Sequence, residues 1–122
     1  MIKSVKFVSI PVTDQDRAIE FYTEKLGMTI MTDQPMGPGA QRWIELAVPG
    51  ADTRVVLFTP AGHEDRIGGF SNVVFASDHV EKTHQQLAAR GVEFVQPPKK
   101  EPWGTSAIFK DQDGNQFVLS SK

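Results

Sequence analysis

Hydrophobic and polar residues alternate along most of this chain in short runs, and two longer stretches replace that alternation with helical spacing. In VSIPV (8–12), Val8, Ile10 and Val12 fall on one face of an extended segment and Phe7, Ser9 and Pro11 on the other. Pro11 has no N–H to donate, which suits a strand edge or end. TDQDRAIEFYTEKLG then predicts a helix, with Thr13 or Asp14 as cap, Asp16 at its positive end and Gly27 as its stop. Ala18, Ile19, Tyr22 and Leu26 form its inner stripe. MTIM (28–31), RWIELAV (42–48) and RVVLF (54–58) predict three more strands, separated by the Pro/Gly-rich loop DQPMGPGAQ (33–41).

The same order then repeats. NVVFA (72–76) predicts a strand, and SDHVEKTHQQLAARG a helix whose Asp78 and Glu81 have the spacing of a capping box. Val80, His84 and Leu87 mark its inner face and Gly91 its end, while VEFV (92–95), SAIFK (106–110) and QFVLS (116–120) complete the strands. Asp14 to Gly27 and Asp78 to Gly91 have equal spacing, so a strand–helix–three-strand unit occurs twice at an offset of 64 residues. The pattern predicts an α+β fold. Two βαβββ modules form a curved eight-stranded mixed sheet around a cavity, with the helices on the outer face. Module one covers about residues 1–61, a charged, glycine-rich linker 62–69, and module two about 70–122, within a single domain.

Composition narrows the chemistry. The 122 residues contain no cysteine, which removes disulfides, thiolate metal sites and cysteine nucleophiles. The net charge of −2, without a basic stripe, argues against nucleic acid as a partner. The apolar runs are too short to span a bilayer, and the start MIKSVKFVSIPV lacks a signal-peptide core. No membrane association and a cytoplasmic location are expected. The one suggestive acidic motif is DQDGN (111–115), where Asp111, Asp113 and Asn115 surround Gly114 as in a calcium loop. Such a loop needs a glutamate at its twelfth position, and here that position is Lys122. A glycine-dependent turn between two strands accounts for the motif better.

The duplicated unit, with VSIPVTDQDRAIEFYTEKLG and FKDQDGNQFVL, resembles the vicinal oxygen chelate superfamily of glyoxalase I, extradiol dioxygenases and bleomycin-binding proteins. The resemblance implies two-fold homodimers and, in metal-dependent relatives, four ligands that align here with Phe7, Glu45, Asn72 and Val118. Only Glu45 keeps a carboxylate. A phenyl ring, an isopropyl group and a neutral amide cannot complete a divalent site, so neither a cofactor nor a divalent metal is expected. The histidines do not compensate. His63 lies in the linker, His79 in the first turn of the second helix, and His84 on that helix's packed stripe.

Strand parity places Trp43, Glu45 and Ala47 on the cavity side with Phe7, Ser9, Asn72 and Val118, whereas Ile44, Leu46 and Val48 pack under a helix. Arg42 and Arg54 stand at strand ends, at the mouth or only the rim. The stretch QPPKKEPWGTS (96–106), stiffened by three prolines, carries Trp103 as a ligand contact or as a rigid plug in the core or a dimer contact. The candidate binding residues are therefore Phe7, Trp43, Glu45, Asn72, Trp103 and Val118. The expected function is metal-independent binding of a small aromatic, apolar or cationic molecule. The alternative is a glyoxalase-type lyase or isomerase, or a dioxygenase-like enzyme, with a remodelled site in which Glu45 is the candidate catalytic base.

Overall fold

A computed structural model describes residues 1–122 and divides them into two compact units, Met1–Ile67 and Gly68–Lys122. The first contains β1 (Phe7–Pro11), α1 (Gln15–Glu20), β2 (Thr29–Pro35), β3 (Arg42–Ala47) and β4 (Arg54–Phe58). The second contains β5 (Phe70–Ser77), α2 (Val80–Ala89), β6 (Phe94–Glu101), β7 (Gly104–Lys110) and β8 (Gln116–Ser121). Each unit holds one four-stranded mixed sheet, in the orders β1-β4-β3-β2 and β5-β8-β7-β6. In both, the first strand pairs in parallel with the last, and the other pairings are antiparallel. This is the duplicated βαβββ unit that the spacing predicts. Pro11 lies on an edge strand, where its missing N–H breaks no internal ladder.

One face of each sheet packs against the helix. In the first unit Ile10, Val12, Ile44, Leu46, Val55 and Leu57 are buried with Ala18, Phe21 and Tyr22. Asp14 caps α1, its Oδ1 accepting from the Asp16 and Arg17 amides at 2.9 and 3.2 Å. The helix then widens into a π-type turn over Phe21–Lys25, with the Leu26 amide reaching back to the Phe21 carbonyl. In the second unit Phe75, Phe94, Phe109 and Phe117 form one aromatic cluster beneath α2, and His84 meets the Phe94 ring edge-on at 4.5 Å.

Three local expectations need correction. The N-cap of α2 is His79 rather than Asp78: its Nδ1 accepts from the Lys82 amide at 3.3 Å. Strand β2 runs on to Pro35, into the stretch assigned to the loop, with a bulge between Ile30 and Thr32. The strand expected to end at Val95 continues as β6 through Pro97 and Pro98 to Glu101. That strand lies on the sheet edge, and register breaks at Phe94/Gln96 and Gln96/Lys99 absorb the missing donors. Pro102 and Trp103 remain as the hairpin tip, and Gly104 has a positive φ where a Cβ would collide with the Ser121 hydroxyl.

DQDGN is a turn between β7 and β8. Asp111 is buried, and its Oδ1 accepts from the Asp113 and Asn115 amides, both at 2.9 Å. Asn115 donates Nδ2 to Asp111 Oδ2 at 2.8 Å, and its own Oδ1 accepts from the Gly68 amide. Gly114 has φ 83°, the left-handed geometry that favours glycine. The acidic letters serve the backbone: two carboxylate oxygens satisfy donors that the turn would otherwise leave unpaired. No helix is long and apolar enough to cross a membrane.

Candidate functional site

The sheet face of unit one that points away from α1 carries Phe7 and Ser9 from β1, Trp43 and Glu45 from β3, and Arg54, Val56 and Phe58 from β4. Register fixes this set: Phe7 pairs with Arg54, Ser9 with Val56, Pro11 with Phe58, and Glu45 with Val56. β4 therefore separates β1 from β3, which puts their backbones roughly 10 Å apart, twice the usual strand spacing. Yet the Phe7 and Trp43 rings lie only 5.5 Å apart, edge to face at 79°. Both side chains lean over the central strand and close above Val56. That explains why Val56 is 1% exposed although it lies on the face without a helix.

Beside this ring pair is a pocket of about 270 Å³ lined by Phe7, Ser9, Trp43, Val56, Phe58 and Met36, with Gln41, Arg42 and Leu57 completing its wall. The Ser9 hydroxyl is a small polar group in an aromatic and thioether lining. Gln41 is fixed by two hydrogen bonds, donating to the Thr59 carbonyl and accepting from its amide. Arg42 contributes wall but not charge. Its guanidinium turns to the helix side and binds Asp16 at 2.6 Å and Asp33 at 2.9 Å. The hydrogen bond it donates to Asp16, helped by Asp33, raises its pKa above the ordinary arginine value.

Glu45 is not part of the lining. Its Oε2 accepts from the Trp43 indole N–H at 3.4 Å, and its Oε1 is 4.0 Å from the Arg54 guanidinium. Its side chain is 17% exposed. The structure thus brings Phe7, Trp43 and Glu45 together on one face. Asn72 and Val118 belong to unit two. Asn72 is exposed on β5, two residues before Val74, and Val118 pairs with Val74 and Ile108 on β8. Trp103 is 64% exposed at the β6–β7 hairpin tip. Met36 and Phe58 are pocket residues that parity and resemblance did not single out. Phe58 is visible as the same-face partner of Arg54 and Val56, and Met36 only as a lone apolar residue between Pro35 and Gly37.

Two of the positions that the resemblance aligns with metal ligands, Phe7 and Glu45, lie on this face. Phe7 offers carbon only, and Glu45 is the one carboxylate among the open-face strand positions of its unit, already directed at an indole N–H and a guanidinium. No three His, Asp or Glu side chains in the chain group closely enough to hold an ion.

Comparison with other proteins adds to this geometry. A family model described as the Glyoxalase/Bleomycin resistance protein/Dioxygenase superfamily matches residues 4–119. The uncharacterized protein YetH of Bacillus subtilis (strain 168) is 40% identical over 119 residues, spanning 98% of each chain. Among solved structures, a glyoxalase/bleomycin resistance protein/dioxygenase superfamily member from Sphaerobacter thermophilus DSM 20745 superposes with a TM-score of 0.90 at 34% identity, covering 99% of this chain and 98% of the other. TnmS3, an antibiotic binding protein from Streptomyces sp. CB03234, gives 0.84 at 36% identity over 98% and 96% of the two chains.

Proposed function

The chain belongs to the Glyoxalase/Bleomycin resistance protein/Dioxygenase superfamily, and from that premise we propose that it is a metal-independent binding protein for a flat aromatic small molecule of antibiotic type. The observation that carries this reading is the Phe7–Trp43 ring pair, which walls a pocket of about 270 Å³ together with Met36 and Phe58. Aromatic faces and a thioether give apolar area and ring-edge contacts of about 0.5–1.5 kcal/mol each. The Ser9 hydroxyl supplies an orienting hydrogen bond. The 36% identity to an antibiotic-binding protein supports the ligand class.

The enzymatic alternative asks Glu45 to act as a base on a bound substrate. Against it, the carboxylate is engaged by Trp43 and Arg54 and does not line the pocket. We further assign a homodimer acting in the cytoplasm. The dimer is supported by edge strand β2, which leaves Ile30 and Met31 at 43% and 50% exposure with its outer ladder open. Native mass spectrometry and tryptophan quenching test both parts. The expected result is a species of twice 13.5 kDa that retains or takes up planar aromatic compounds, with Trp43→Phe weakening uptake. Stoichiometric zinc, nickel or iron that survives dialysis and is lost in Glu45→Gln would overturn the metal-independent reading.

A further inference from the structure

Within the pocket reading above, on which this inference rests, Glu45 has a position but no direct contact with a ligand. We propose that Glu45 is a positioning residue: backed by Arg54, it holds the Trp43 indole by its N–H, and the pocket so formed prefers uncharged planar aromatics to cations. Indole nitrogen is a donor only, so a half-buried tryptophan needs an acceptor, and Glu45 Oε2 at 3.4 Å is the acceptor beside it. The other carboxylate oxygen faces the Arg54 guanidinium at 4.0 Å. That cation is 33% exposed and shares the open face with Val56.

Two consequences follow for ligand choice. The single negative charge on this face is compensated by a fixed positive one, so it does not attract a cation into the pocket. The Arg54 guanidinium, 4.0 Å from the carboxylate whose other oxygen holds the Trp43 indole N–H, keeps a positive charge near the indole end of the ring pair. A cationic ligand stacked on those rings would gain from their π-faces but lose to the guanidinium. A neutral ring meets no such opposition. Glu45 acts through the tryptophan: without its acceptor, the indole can leave the closed arrangement over Val56, and the pocket loses one wall.

The test uses the full chain in a Trp103→Phe background, so that Trp43 is the only indole. Neutral N-phenyl-1-naphthylamine and cationic thioflavin T are titrated against Glu45→Gln, Glu45→Leu and Trp43→Phe. The glutamine amide oxygen can still accept from the indole, so Glu45→Gln is expected to bind the neutral probe within about twofold of the parent. Glu45→Leu and Trp43→Phe should each lose roughly five- to tenfold, the loss of one hydrogen bond's worth of positioning. Thioflavin T should bind more weakly than the neutral probe throughout. Equal losses in Gln and Leu, confined to thioflavin T, would make Glu45 a direct ligand contact and overturn the proposal. The ligand-free protein gives a second reading: the Trp43 indole N–H resonance should shift and exchange faster in Glu45→Leu but not in Glu45→Gln. An unchanged resonance in both variants also overturns it. If both probes ignore Trp43→Phe and Phe7→Ala, the pocket reading fails and takes the ligand preference with it, while the resonance still decides whether Glu45 holds the indole.

Discussion

The two units have one topology but put most of their strand aromatics on different faces. In the second, Phe75, Phe94, Phe109 and Phe117 all lie under α2, and the other face offers Phe70, Asn72, Val74, Ile108 and Val118. In the first, aliphatic strand residues carry the packing under the helix, and Phe7, Trp43 and Phe58 are on the face without one. A βαβββ unit needs one apolar face to fold, and either aliphatic or aromatic side chains satisfy that. The other face is then free to vary. In unit one it has acquired a ring pair and a pocket; in unit two it is mostly aliphatic and polar, with Phe70 alone as an exposed ring. The difference separates residues that hold the fold from residues that can hold a ligand.

The sharpest way to break this division is to truncate one ring from each face. Phe117 is fully buried against Phe75 and Phe109, so Phe117→Ala removes transfer energy and leaves a cavity. A loss of about 3–5 kcal/mol is expected in urea unfolding. Phe7→Ala, on a half-buried ring at the pocket wall, should cost about 1–2 kcal/mol while reducing aromatic probe binding strongly. Similar stability losses in the two variants would show that the open face of unit one is core rather than site.

The turns that precede each last strand extend the comparison at smaller scale. Between β7 and β8, Asp111 is buried and satisfies the Asp113 and Asn115 amides together with the Asn115 side chain. Between β3 and β4, Asp52 is exposed. Asp111→Ala leaves buried donors unpaired and should cost about 2–4 kcal/mol, whereas Asp52→Ala should stay within about 0.5 kcal/mol. Denaturant midpoints measured with and without millimolar calcium check both points. A midpoint for the parent that rises with calcium but not in Asp111→Ala would restore the metal reading of this motif.

The duplication, the strand faces and the DQDGN turn were legible because period-two alternation, glycine stops and turn chemistry are local signals. Ile44 and Leu46 buried against half-exposed Trp43 and Glu45 is what alternation in RWIEL requires. The passage of β6 through Pro97 and Pro98 was not legible, because a proline is tolerated or excluded according to whether its strand is an edge, and edge position is a tertiary fact. Burial of Val56 on the face without a helix depends on two rings leaning across a neighbouring strand, which no linear pattern encodes. For the same reason alternation assigns Glu45 to the face away from the helix, while the hydrogen bond it accepts from the Trp43 indole became visible only in the folded arrangement.

The smallest expected difference lies at the helix starts. Asp14 accepts two amide hydrogen bonds at 2.9 and 3.2 Å, whereas His79 accepts one, at 3.3 Å. A carboxylate at the N-cap also complements the positive end of the helix, which a neutral imidazole does not. Asp14→Ala should therefore cost about 1 kcal/mol, and His79→Ala only a few tenths. His79→Asp should recover part of the missing capping energy, on the order of 0.5 kcal/mol, because the new carboxylate sits between Asp78 and Glu81 and is opposed by both. Thermal unfolding of the three variants orders them. If His79→Ala proves as costly as Asp14→Ala, the imidazole cap is worth as much as the carboxylate, and the two helix starts are energetically alike despite their different chemistry.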